Sequence, residues 1–114
     1  MRVRLHGIDT PEKTQPYSNS ARLRTEELTR GRLVRVVVED RDRYGRTVAR
    51  VFVDGEDLSL ILVREGLAWH YSRYSSDPRL AYYELRARQK RLGLWQDPKP
   101  EPPWIFRRRQ RQNR

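Results

Sequence analysis

Arg32-Leu33-Val34-Arg35-Val36-Val37-Val38-Glu39 and, after a charged connection from Asp40 to Gly45, Arg46-Thr47-Val48-Ala49-Arg50-Val51-Phe52-Val53 decide the fold class. Both runs are rich in β-branched residues, which pack well on a pleated surface and lose rotamer freedom in a helix. They read as two strands, and Asp54-Gly55 closes the second with a turn signal. Upstream, Arg2 to Ile8 alternates apolar Val3 and Leu5 with Arg2, Arg4 and His6, the pattern of a half-buried strand. Gly7 marks its end as a bulge or close approach.

Between these strands lies a helical stretch. Pro11 stiffens the turn Asp9 to Lys13 and pushes Thr10 to an extended conformation. After the polar loop Lys13 to Asn19, Ser18 or Ser20 is the expected cap of a helix running to about Arg30, stopped by Gly31. Downstream, Asp57 is the cap of a short helix through Leu58 to Val63, closed by Gly66. Leu67 to Tyr71 is short, aromatic and extended. Asp77-Pro78 opens a third helix, cap then proline at the first helical position, ended by Gly93. Strands with turns first and helices interleaved indicate an α+β arrangement, a small barrel with helices on one side. From Asp97 the prolines at 98, 100, 102 and 103 form an extended strap. Trp104, Ile105 and Phe106 are candidates to anchor it, and the arginine-rich end reads as disordered. The expected organisation is one domain over 1–96 and a strap with tail over 97–114.

The 114 residues carry 25 Lys and Arg against 15 Asp and Glu, a net charge of +10. Arginine dominates, and its planar fork holds phosphate bidentately. Five of the charges are Arg107, Arg108, Arg109, Arg111 and Arg114, so a net of +5 (10 minus 5) belongs to the body. Such an excess points to polyanions, against the plainer reading of a solvated surface with a basic tail. With no cysteine, disulfides and thiolate metal sites are excluded. No apolar run approaches the roughly 20 residues of a membrane span, and the first residues lack the apolar core of a signal peptide.

Three segments can carry chemistry. In Arg4-Leu5-His6-Gly7-Ile8-Asp9-Thr10-Pro11-Glu12, a strand delivers an arginine and then two acids across a rigid turn. Asp9 can hold a hard cation such as Ca²⁺ through oxygen. Glu12 can orient or deprotonate a water, and Arg4 can neutralise charge in a phosphoryl transition state. In Asp42-Arg43-Tyr44-Gly45-Arg46, the glycine admits close approach of the backbone, Arg46 starts a strand and Tyr44 can donate to phosphate. In Trp69-His70-Tyr71-Ser72-Arg73-Tyr74, aromatics between basic groups can stack bases of a single strand. Taken alone, each segment also has a plain structural account: a capped acidic turn, a charged hairpin, and a core tryptophan beside a hydrogen-bonded histidine.

In combination the motifs are specific. Val3-Arg4-Leu5-x-Gly7-Ile8-Asp9-Thr10-Pro11-Glu12, then Asp42 to Arg46, then Leu62-Val63-Arg64-Glu65-Gly66-Leu67-Ala68-Trp69, with Gly93-Leu94-Trp95 late in the chain, resemble the staphylococcal nuclease (thermonuclease) family. The resemblance runs from Arg2 to about Trp95. It implies an OB-fold-like five-stranded barrel with three helices, and Ca²⁺-dependent endonucleolytic cleavage of DNA and RNA, leaving 3′-phosphate ends. Carried over, Asp9 and the Thr10 carbonyl match calcium ligands and Glu12 matches the general base. Arg4 and Arg46 match the phosphate-binding arginines. Tyr44 and the neighbouring Arg43 match substrate contacts, and Tyr74 an aromatic that packs the base. By the same analogy, family members are secreted or envelope-associated.

The chain also departs from the pattern. The family opens with a β-hairpin whose Asp-Gly-Asp-type turn supplies another calcium-ligand aspartate, whereas Met1 stands almost directly before the strand that should be third. The expectations are an incomplete barrel with an unpaired edge and exposed apolar surface, and weak Ca²⁺ binding. A missing N-terminus is the preferred account; a partner copy supplying the edge and a degenerate relative are the others. Three functions therefore compete: a Ca²⁺-dependent nuclease, a catalytically weakened module that binds single-stranded nucleic acid, and an interaction or structural protein whose proline strap and arginine tail dock a partner. Self-association through the exposed edge is a further expectation.

Overall fold

A computed structural model describes residues 3–43 and 45–113. The element order is β1 (Val3–Leu5), β2 (Ile8–Asp9), α1 (Ser18–Thr29), β3 (Val34–Arg41), β4 (Thr47–Val53), β5 (Glu56–Asp57), α2 (Leu58–Arg64), β6 (Trp69–His70), α3 (Pro78–Gln89), a 3-10 turn (Gly93–Gln96) and α4 (Pro103–Gln112). The α+β class stands. Among the described residues the strands do not close a barrel: one sheet runs β1-β4-β3 with β5 added to β4, and β2 pairs with β6.

β4 is the organising strand. Its odd-numbered residues Thr47, Ala49, Val51 and Val53 are buried and its even-numbered ones half-buried, the alternation of a sheet with one covered face. β3 lies antiparallel to it, with a bulge between Val38 and Asp40, and β1 lies parallel to it, Arg4 beside Val48. The core joins Val51 and Val53 to Ile8, Leu58, Leu62, Val63, Ala68 and Leu80, so α2 covers one face of β4 and α3 packs on α2. β3 is left largely open among the described residues: Val34, Val36 and Val38 are exposed, and Leu33 just before it is 96% exposed. The expected exposed apolar surface is thus present.

Local chemistry explains the helix starts. Asp57 accepts the Ser59 N–H at 3.0 Å, and Asp77 accepts the Arg79 N–H at 2.9 Å with Pro78 following the cap. α1 differs from expectation. Its N-cap is Tyr17, in the left-handed region at φ 71° and with no side-chain cap. The Ser18 hydroxyl instead donates to the Lys13 carbonyl at 2.8 Å, tying down the preceding loop.

The arginine-rich end also differs, since it forms the helix α4. Pro103 at its start has the φ a first helical residue needs. Trp104 then stacks on Tyr71, with centroids 4.9 Å apart and planes 7° from parallel, and meets Trp69 edge-on at 5.5 Å. Trp69 and Trp95 form the centre of this second cluster, 4.6 Å apart. Among the described residues no helix is long and apolar enough to cross a membrane.

Candidate nucleic-acid site

The loop between β1 and β2 passes tightly against α3. Gly7 has φ +78°, and a Cβ there would lie 2.7 Å from Leu80 Cδ1. That close passage delivers Asp9 into β2, where it is buried opposite Trp69 of β6. Glu12 follows on the proline-stiffened turn. Its N–H donates to Gln15 Oε1 at 2.9 Å, and its carbonyl accepts the Gln15 N–H at 2.8 Å. Gln15 Nε2 in turn donates to the Glu101 carbonyl at 2.9 Å, so the acidic turn is held against the proline strap.

Arg4 projects from β1 with its guanidinium carbon 5.1 Å from the Tyr71 ring centroid and 5.9 Å from that of Tyr74. Within that range a ring face attracts a cation. Arg46 stands just before β4. Its N–H and its Nε donate to Asp42 at 3.0 and 2.7 Å, which fixes the guanidinium relative to the strand. Arg4, Asp9, Thr10, Glu12 and Arg46 all line one cavity of about 710 Å³, open along α1. Two segments far apart in sequence, Arg4 to Glu12 and Arg46, therefore meet at one place.

The cavity has one further lining residue that the sequence reading left in a disordered tail, Arg107 of α4. Its Nη2 donates to Asp9 Oδ2 at 2.7 Å, and its Nη1 donates to Asp9 Oδ1 at 3.1 Å and Glu12 Oε1 at 2.9 Å. Burial works against the charge of Arg107, yet the hydrogen bonds to the two carboxylates outweigh it and hold the group more firmly protonated than a free guanidinium. A signal for Arg107 was present. Trp104 and Arg107 stand three apart, so any helix starting at Pro103 puts the anchor and the cation on one face.

The remaining candidates sit elsewhere. Arg43 is exposed in the β3–β4 turn and does not line the cavity. Tyr74 is 61% exposed, edge-on to Tyr71 at 4.7 Å, at the rim beyond Arg4. Tyr44 lies outside the described residues. Trp69 and Tyr71 are buried and committed to packing, and His70 is a buried structural residue whose Nε2 lies 2.9 Å from the Ser75 carbonyl.

The donor set bears on the implied cation. Asp9, Glu12 and the Thr10 carbonyl offer hard oxygen, the ligand type of Ca²⁺. Both carboxylates already converge on a single positive group, Arg107, which stands in for a cation. Among the described residues no three His, Asp or Glu side chains form a metal-sized cluster. The residues thus fit a hard cation in charge and donor type, as part of a shell that usually numbers about 6–8 oxygens.

Comparison with known proteins places this arrangement. The family model described as staphylococcal nuclease homologue matches residues 2–97. An uncharacterized endonuclease of Escherichia coli O157:H7 is 43% identical over 110 residues, covering 96% of this chain and 72% of that protein. A micrococcal nuclease of Shigella flexneri is 40% identical over 119 residues, covering 95% and 68%. The staphylococcal-like nuclease CAN1 of Arabidopsis thaliana is 41% identical over 110 residues, and there the chain spans only 34% of its relative's length.

Proposed function

This chain belongs to the staphylococcal nuclease homologue family, and on that footing we propose that it hydrolyses phosphodiester bonds of nucleic acids. The observation that carries the reading is the convergence of Arg4, Arg46, Asp9 and Glu12 on one open cavity. Two guanidinium groups bind a phosphate and stabilise the charge that grows on its oxygens as water adds. Glu12 takes a proton from that water. The water oxygen bonds to phosphorus, the P–O5′ bond breaks, and the 5′-oxygen leaves as a hydroxyl after taking a proton from solvent. That balance leaves a 3′-phosphate. Asp9 and the Thr10 carbonyl would hold Ca²⁺, which when bound supplies further positive charge to the phosphate.

Substrate contacts extend outward from this centre. Tyr74, exposed beside Arg4, offers a ring on which an unpaired base stacks. By the family resemblance, Arg43 and Tyr44 are further substrate contacts, outside the cavity lining in the case of Arg43. Such a rim favours single-stranded DNA or RNA. A base within a duplex is already stacked on both faces.

A second reading has its own observation. Arg107 neutralises both carboxylates, and a site held that way binds phosphates without cutting. The deciding experiment is cleavage of single-stranded DNA in Ca²⁺ and in chelator, beside Glu12→Gln. Ca²⁺-dependent cutting that Glu12→Gln reduces by ~10²-fold or more supports the nuclease. Salt-sensitive binding with no cutting supports the binding module.

A further inference from the structure

We propose that Arg107 is an intramolecular competitor of the divalent cation: α4 seats a guanidinium on Asp9 and Glu12, and metal binds only as that guanidinium withdraws. The inference rests on the reading of Asp9 and Glu12 as the cation-binding carboxylates. Its geometric basis is that one side chain engages both groups at once, at 2.7 and 3.1 Å to Asp9 and 2.9 Å to Glu12. Asp9 is buried, and Arg107 occupies both of its oxygens. A guanidinium has donors only and cannot share a metal's coordination shell. Two positive groups on the same oxygens also repel each other, most strongly where water is scarce.

The contact is built rather than incidental. α4 is fixed one turn before Arg107 by the stack of Trp104 on Tyr71 and its edge contact with Trp69. Just beyond Arg107, Arg109 pairs bidentately with Glu101 at 2.9 and 3.1 Å. The strap carrying Glu101 is bonded through its carbonyl to Gln15, in the acidic turn itself. Arg107 is therefore aimed by contacts on either side of it. None of these contacts involves the carboxylates of Asp9 or Glu12, so the guanidinium can leave them while the helix stays docked. Arg107 is 33% exposed along its side chain, which gives it a path outward toward the phosphates of a bound strand.

The test is isothermal titration of the full chain with Ca²⁺ at fixed ionic strength, for the natural sequence, Arg107→Gln and Asp9→Asn. Arg107→Gln should bind Ca²⁺ roughly tenfold tighter or more, as a like charge is removed from beside the cation. It should also gain more thermal stability from Ca²⁺ than the natural chain does. Equal or weaker binding in Arg107→Gln, with Asp9→Asn binding lost, overturns the competition and leaves the cation site standing. Binding that survives in Asp9→Asn, or fails in every chain, overturns the cation site and the competition together. Should Arg107→Gln fold poorly, the side-chain NMR signals of the natural chain decide. Added Ca²⁺ should shift the Arg107 guanidinium Nε–H resonance as it leaves Asp9 and Glu12 while the backbone amides of 103–112 stay protected, and an unmoved Arg107 signal at saturating Ca²⁺ overturns the proposal.

Discussion

Arg107 and Asp9 stand 98 positions apart in the chain and meet at 2.7 Å. The pair joins the last helix to a two-residue strand that, among the described residues, pairs with β6 alone. Removing the guanidinium leaves a buried carboxylate without its counter-charge, the costly way to break an ion pair. Arg107→Ala should destabilise the fold by about 1–2 kcal/mol, below the roughly 3–5 kcal/mol of fully buried pairs because solvent screens one-third of the arginine. Chemical denaturation at low divalent concentration measures it. A loss much smaller than this would mean that Trp104 and the Arg109–Glu101 pair hold α4 without it.

Gly7→Ala tests the passage that delivers Asp9. The new Cβ would meet Leu80 Cδ1 at 2.7 Å and sit at φ +78°. Left-handed strain and overpacking against a buried leucine each cost on the order of 1–3 kcal/mol. The melting temperature should fall, and cleavage should fall more than folded fraction alone accounts for, since Asp9 moves with the loop.

Salt dependence separates the site from the tail. Arg108 and Arg111 are exposed on α4. If they meet phosphates of a single strand, replacing both with alanine lowers the slope of log affinity against log salt by about 0.7 for each phosphate no longer neutralised. Cutting at low salt should persist. Its complete loss would place these arginines in the chemistry instead.

Acid should weaken α3 through its cap. The Arg79 side chain, hydrogen-bonded to Asp77, holds that carboxyl below the usual carboxylate range despite burial. A depressed folded value means that the stabilisation is complete above the unfolded carboxylate pKa, about 4, and is lost as pH falls through the folded value. Asp77→Asn retains a capping oxygen but should flatten this part of the stability profile. An unchanged profile would assign the acid sensitivity to other carboxylates.

The valines of β3 bear on association. Val34, Val36 and Val38 are exposed on an edge strand of the sheet, a template for pairing with a second copy. Sedimentation should show concentration-dependent dimers that Val36→Lys disperses. Monomers at all concentrations would rule out this edge as a self-association surface.

Much of this was legible in the chain because it is local. The β-branched runs, the Asp57 and Asp77 caps and the order of the acidic turn and Arg46 are short-range properties. What the sequence hid depends on distant partners. Ser18 reads as a cap, but Lys13 offers its hydroxyl another acceptor and Tyr17 takes the cap position. Arg107 reads as one of a run of solvated arginines. Its role exists only once Tyr71 and Trp69, from another part of the chain, have seated Trp104.

The proline strap has a kinetic consequence. It is stiff, short and bonded to the acidic turn through Gln15, so Arg107 searches little space before meeting its carboxylates. A tethered group of this kind acts at an effective concentration in the millimolar range. Free cation must outcompete that local level, so the length and stiffness of the strap set the concentration at which the site changes hands. Glycines in place of Pro98 and Pro100 would lower that threshold without touching any residue of the cavity.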